Sequence, residues 1–167
     1  MTERIIAFPP VAPPRAVTLI LGSMPSVESL NQGFYYAHPR NTFWRIVSQS
    51  FDEAFPEDIP DRIALLERHD IALWDVLHSC EREGSLDSAI REPHPNDFAG
   101  LFHRCPGIQR ILFNGGTAAG LFMKCGRDCL IGRSWVRLPS TSPAYTLSYE
   151  RKLAQWRQAL RNEHESL

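Results

Sequence analysis

Four short apolar runs stand out along the chain, at residues 17–21, 71–74, 110–113 and 135–138, each followed by Gly, Pro, Ser, Asn or Asp. Their length and their punctuation predict strands. Between them the apolar positions change to helical spacing. Phe43, Trp44, Ile46, Val47 and Phe51 make one such face, and Ile63, Leu65 and Leu66 a second. Ala118, Leu121 and Phe122 make a third, and Leu153, Trp156 and Leu160 form the stripe of a C-terminal helix. Strands alternating with helices predict an α/β fold with a mostly parallel sheet covered on both faces. Ahead of the first strand, residues 1–16 contain Phe8-Pro-Pro-Val-Ala-Pro-Pro14, which reads as an extended strap leading into one domain over residues 17–167.

In a parallel sheet of this kind, ligands gather beyond the carboxyl ends of the strands. Those ends are Gly22-Ser-Met-Pro25, Asp75-Val-Leu-His78, Asn114-Gly-Gly116 and Pro139-Ser-Thr-Ser-Pro143, all polar or rich in Gly and Pro. That convergence locates the expected site.

Composition narrows the class. With 43% hydrophobic and 22% charged residues, 167 residues suit a globular domain of ordinary size. No apolar run approaches the roughly 20 residues of a membrane helix, and the first residues lack a signal-peptide core, so no membrane partner and a cytoplasmic address are expected, with a monomer as the simplest assembly. A net charge of −1 gives no general reason to expect a nucleic-acid partner. The charge is uneven, however: residues 52–61 carry five acids and no base, while Lys124, Arg127, Arg133 and Arg137 face Asp128 alone within residues 124–137. Sixteen of eighteen basic residues are arginine, the type suited to bidentate phosphate contacts. A basic face for phosphates and scattered solvated charge both fit this pattern.

Four cysteines (Cys80, Cys105, Cys125, Cys129) form no CxxC pair and read as free thiols. His94, Asp97, His103 and Cys105 would make a poor metal site, because Pro93, Pro95 and Pro106 give that region the look of loop. There is no GxSxG, no HExxH, and Asn114-Gly-Gly-Thr-Ala-Ala-Gly120 has neither P-loop nor dinucleotide order. Metal-free chemistry is expected.

The richest stretch runs from Gly22 to Trp44. Gly22 lets backbone approach a ligand, Pro25 stiffens the turn, and Tyr35 and Tyr36 precede His38-Pro39-Arg40-Asn41 at a helix start. Rings for stacking beside amides and hydroxyls for an edge suit a flat heterocycle. The same rings also suit a core, more so Phe43 and Trp44 at helical spacing than Tyr35 and Tyr36.

Gly22-x-x-Pro25 followed by Gly33-Phe34-x-x-Ala37-His38-Pro39-x-Asn41-x-Phe43-Trp44 resembles the first motif of the mismatch-specific branch of the uracil-DNA glycosylase superfamily. Leu138-Pro-Ser-Thr-Ser-Pro143 resembles its second motif, the loop that enters DNA as a base is flipped; residues 74–87 and Phe113-Asn114-Gly115 are similar as well. The resemblance spans about residues 17–160. It implies a three-layer α/β/α sandwich with a central four-stranded, mainly parallel sheet. It also implies monofunctional hydrolysis of the N-glycosidic bond in damaged DNA, with no cofactor, as in base excision repair. Where mismatch-specific relatives carry a catalytic Asn, this chain has Met24, which can neither orient nor activate a water. The pattern resembles the hypoxanthine-DNA glycosylase subfamily, whose water-positioning asparagine lies in the HPxN segment and corresponds to Asn41. Two further departures fall in the second motif: it lacks the histidine of many members, and Tyr145 stands where the subfamily has Asn.

This resemblance implies roles for the candidate residues. Asn41 is the catalytic group that holds water. Gly22, Ser23, Met24 and Pro25 form the base-binding turn, with backbone N–H groups of Ser23 and Met24 on a base carbonyl. Tyr36 stacks on the flipped base and Asn114 reads its edge. Ser140, Thr141, Ser142, Pro143 and Tyr145 are the DNA contacts. His38 is either an electrophile or a turn residue bonded to backbone. Hypoxanthine is the favoured substrate, with uracil and xanthine open. A nucleosidase acting on free nucleosides and a non-catalytic module that binds damaged DNA are the rival readings.

Overall fold

The four apolar runs form the parallel sheet they predict. In the computed structural model, residues 3–161 are described; Met1 and Thr2 of the expected strap and residues 162–167 of the expected domain lie outside them. In chain order the elements are β1 (Arg4–Ile6), β2 (Thr18–Gly22), α1 (Val27–Gln32), α2 (Phe43–Ser50), α3 (Ile59–Arg68), β3 (Ile71–Asp75), β4 (Leu77–Glu81), β5 (Arg91–Pro95), α4 (Phe98–Arg104), β6 (Arg110–Asn114), α5 (Gly116–Cys125), β7 (Ser134–Leu138) and α6 (Tyr149–Arg161).

The central sheet has the order β3-β2-β6-β7 with every pair parallel. The inner strand β2 is buried along its length and its neighbour β6 from Ile111 to Asn114, as expected for strands covered on both faces. On one face Trp74 and Phe113 meet Phe98 of α4 and Phe122 of α5, at ring separations of 4.8–5.8 Å. Phe43 of α2 and Trp156 of α6 pack edge to face at 6.0 Å, both wholly buried, in the other helical layer. The result is the expected three-layer sandwich. None of the helices of the described residues is long and apolar enough to cross a membrane.

A second sheet was not expected. It has the order β1-β4-β5, antiparallel throughout. β1 lies within the proline-bearing N-terminal stretch, which continues along the edge of the main sheet through an antiparallel bridge between Val11 and Leu73. β5 contains Pro93 and Pro95, the prolines that made its region read as loop. Every residue of it is exposed and it lies at the edge of the sheet, where a missing N–H costs no ladder bond. α4 was overlooked for the same reason: Asp97 caps it through Gly100 N–H, and Phe98, Leu101 and Phe102 bury its inner face.

Candidate active site

Strand register sets the floor of the site. β2 and β3 align Gly22 with Asp75, and β6 and β7 align Asn114 with Leu138, so the strands end together. Beyond β2 the chain turns into α1, capped by Ser26 at its start and by Gly33 at its end (φ +78°). Beyond α1 it runs through the aromatic segment to α2. A cleft of about 720 Å³ opens over these ends. It is lined by Gly22, Ser23, Met24, Pro25, Tyr36, Asn41, Asn114, Ser140, Thr141, Ser142, Pro143 and Tyr145 among others. Every candidate site residue named from the sequence therefore borders one cavity.

The aromatic segment divides. Phe43 and Trp44 are core, and Trp44 donates its indole N–H to Tyr35 O at 2.9 Å. Tyr35 also belongs to the core, contrary to the sequence-based leaning: it is 2% exposed and its hydroxyl donates to Pro9 O at 2.7 Å. Its neighbour Tyr36 has the left-handed backbone (φ +53°) that an ordinary side chain rarely adopts. Its ring stacks on Phe43 at 4.2 Å and its hydroxyl is buried. A loop without periodicity gave no sign that two adjacent tyrosines would part in this way.

Asn41 sits at the entry to α2. Its side-chain oxygen accepts from Phe43 N–H at 3.0 Å, which fixes the amide plane and leaves its two N–H groups and one lone pair to serve a ligand. His38 Nδ1 accepts from Arg40 N–H at 3.1 Å, the turn-forming alternative of the two weighed for it. Met24 is 7% exposed and packs into the core while bordering the cleft. The carbonyls of Gly22 and Ser23 accept from Val76 and Leu77 N–H, anchoring the turn to the start of β4.

The opposite wall is tied together by its own hydrogen bonds. Thr141 is 1% exposed, and it exchanges two hydrogen bonds with Asn114: Asn114 Nδ2 donates to its hydroxyl at 3.0 Å, and Thr141 N–H donates to Asn114 Oδ1 at 2.9 Å. Thr141 thus holds the loop to the sheet, its hydroxyl accepting from Asn114, and Asn114 keeps only part of its amide for a further partner. The loop is ordered further by Ser140 and Ser142 hydroxyls accepting from Ser142 and Ala144 N–H, and by Lys152 Nζ donating to Ser142 O. Pro143 and Tyr145 are exposed at its tip. Exposed Arg137 lies over Gly116, in a cavity of about 190 Å³ shared with Ser140 and Tyr145; a Cβ on Gly116 would come within 2.5 Å of its guanidinium.

Asp75 is the residue that the sequence reading missed. It is 3% exposed and faces the cleft. Burial, reinforced by the charge of Asp87 and opposed by that of Arg82, pushes its carboxyl up to about 7. Burial first and Asp75 next raise the Tyr36 phenol far above its ordinary value, against the effect of nearby Asn114. The available signal was its position as the polar residue ending the second strand.

The model of the uracil DNA glycosylase superfamily matches residues 9–164. A protein of Methanosarcina acetivorans named hypoxanthine DNA glycosylase is 35% identical over 156 residues, 93% of this chain and 97% of that one. A protein of the same name from Methanosarcina barkeri is 38% identical over 109 residues, 65% of this chain and 69% of that one. Among solved structures, the solution NMR structure of a candidate uracil DNA glycosylase from Methanosarcina acetivorans superposes with a TM-score of 0.82 at 34% identity, covering 96% and 98% of the two chains.

Proposed function

From the premise that the chain belongs to the uracil DNA glycosylase superfamily, we propose that it removes hypoxanthine from DNA by hydrolysing the N-glycosidic bond. It is a metal-independent DNA glycosylase acting on deaminated bases; hypoxanthine as preferred base, and the residue roles, are the proposal. The observation that carries it is the cleft over the strand ends, where Asn41 and the Gly22–Pro25 turn face one cavity large enough for a flipped base. Cleavage builds positive charge on the sugar and negative charge on the departing base. Asn41, a neutral amide, orients a water toward the anomeric carbon rather than deprotonating it. N–H groups at Ser23 and Met24 meet the base carbonyl as it gains charge. Tyr36, its ring held against Phe43, borders the base from the cleft floor.

Ser140, Ser142 and Arg137 serve phosphates, while Tyr145 at the loop tip fills the gap left by the extruded base. The protein acts as a cytoplasmic monomer, its proline-bearing N-terminal stretch bracing the single glycosylase domain. A base-release panel over hypoxanthine, xanthine, uracil and mismatched thymine in duplex DNA tests this reading. Release of hypoxanthine at the highest rate is expected; release of uracil alone would overturn the substrate assignment. Free deoxyinosine cleaved as fast as the oligonucleotide would favour a nucleosidase instead.

A further inference from the structure

Two polar side chains, Tyr36 and Asp75, meet on the floor of the cleft. Asp75 Oδ2 is buried without a hydrogen-bond partner, and Tyr36 Oη is buried without a well-formed one, the Asn114 amide lying near it. Such groups are costly unless something else satisfies them, and unsatisfied pairs concentrate where a ligand belongs. They are also neighbours. The point where a Cβ on Gly22 would stand lies 2.5 Å from Tyr36 Oη and 2.6 Å from Asp75 Oδ1, so the glycine alone leaves room for both above the strand end. Asp75 is held there by the β2–β3 register and by Asn96 Nδ2, which donates to its carbonyl at 2.8 Å.

Resting on the reading of the site as a glycosylase pocket, we propose that Asp75 and Tyr36 form a two-donor reader that selects 6-oxopurines by O6 and N7. Hypoxanthine presents adjacent acceptors on that edge, as guanine does, whereas adenine presents one acceptor and an amino donor. Two hydroxyl donors side by side match the first pattern and oppose the second. Replacement of the adenine amino group by oxygen is the whole difference between the normal base and the damaged one, so a reader of this edge discriminates at the altered atom. A site built to hydrogen-bond rejects the mismatched analogue strongly, because its own groups are left unpaired. Uracil offers a single acceptor to the pair and xanthine offers both.

Donation by Asp75 requires its proton. The groups that face it are Tyr35 and Tyr36 from the segment before α2, Asp87 from the turn between β4 and β5, and Arg82 after β4; His38 and Arg137 border the same cleft. Arg82 is committed to backbone, donating to Gly84 O and Pro25 O, and makes no ion pair with the carboxyl among the described residues. The carboxyl therefore stays protonated to about pH 7.

The test is single-turnover release of hypoxanthine between pH 5.5 and 8.5 by wild type, Asp75→Asn, Asp75→Ala and Tyr36→Phe, with thermal melting to confirm that each variant folds. Wild type should lose rate as pH rises through about 7. Asp75→Asn keeps a donor that does not titrate, so its profile should be flat there. Asp75→Ala and Tyr36→Phe should each lose about tenfold or more at pH 6. A folded Asp75→Ala with wild-type rate at pH 6, or an Asp75→Asn that retains the wild-type decline, overturns the pair as reader while the glycosylase reading stands. A wild-type protein that releases no hypoxanthine at any pH overturns both.

Discussion

Two pairs of polar side chains lie at the strand ends, and they have opposite accounts. Asn114 and Thr141 satisfy each other through two hydrogen bonds across 27 positions of sequence. On the other side of the floor Asp75 is buried and Tyr36 is half-buried with a buried hydroxyl, yet each keeps a polar atom without a well-formed hydrogen bond. The first pair is closed and fixes the loop after β7 by the protein's own groups. The second is left incomplete by the protein's own groups, so a ligand can complete it. Burial alone does not separate scaffold from recognition here; hydrogen-bond completion does.

The sharpest way to break this contrast is Gly22→Ala. A methyl at that position overlaps Tyr36 Oη and Asp75 Oδ1 and displaces at least one of them. Base release should fall about 100-fold, the scale expected when positioned groups move by around an ångström. Unchanged kinetics would show that the open pair does not act on the base. Asn114→Ala attacks the closed pair: it strands the buried Thr141 groups and should cost about 1–3 kcal/mol in urea unfolding. A loss well under that range would remove the structural role given to the pair.

A smaller effect separates the pairs by pH. Folded Asp75 keeps its proton to about pH 7, whereas an unperturbed carboxyl loses it near 3.8. Between those values the folded state binds more protons, so the group's contribution is full below about pH 4 and is lost as pH rises through about 7. Asp75→Asn should accordingly match wild type in stability at pH 4 and exceed it by about 1 kcal/mol or more at pH 8. Equal stability at both pH values would mean that the carboxyl ionises freely in its site. Tyr145→Ala, at the exposed loop tip, should slow base release only several-fold and leave melting nearly unchanged, because about half of its surface is open and the Lys152 ammonium over its ring is its nearest charged neighbour.

The parallel sheet was legible because its strands are short apolar runs with sharp ends, and its helices because their stripes keep a 3.6-residue period. The second sheet was not, since β5 is an exposed proline-bearing edge whose residues carry no apolar signal. α1 did carry its signals, Ser26 before and Gly33 after, but six residues leave too little period to detect. At the site, the Gly22–Trp44 stretch and the second-motif loop could be named from residue order, and both reach the cleft. What residue order could not supply was which hydroxyls are already satisfied. Thr141 sits in the middle of a Ser/Thr run and turned out buried, while Asp75 read as a strand terminator until the register set it beside Gly22 and Tyr36.

Catalysis by Asn41 from the HPxN segment, in a chain with Met24 at the first-motif position, is the centre of the account. Single-turnover base release from a hypoxanthine-containing duplex, compared between wild type and a folded Asn41→Ala, tests it most directly. Efficient release by wild type with a loss of about 100-fold or more in the variant is the predicted result. An Asn41→Ala protein that releases hypoxanthine at the wild-type rate would contradict it.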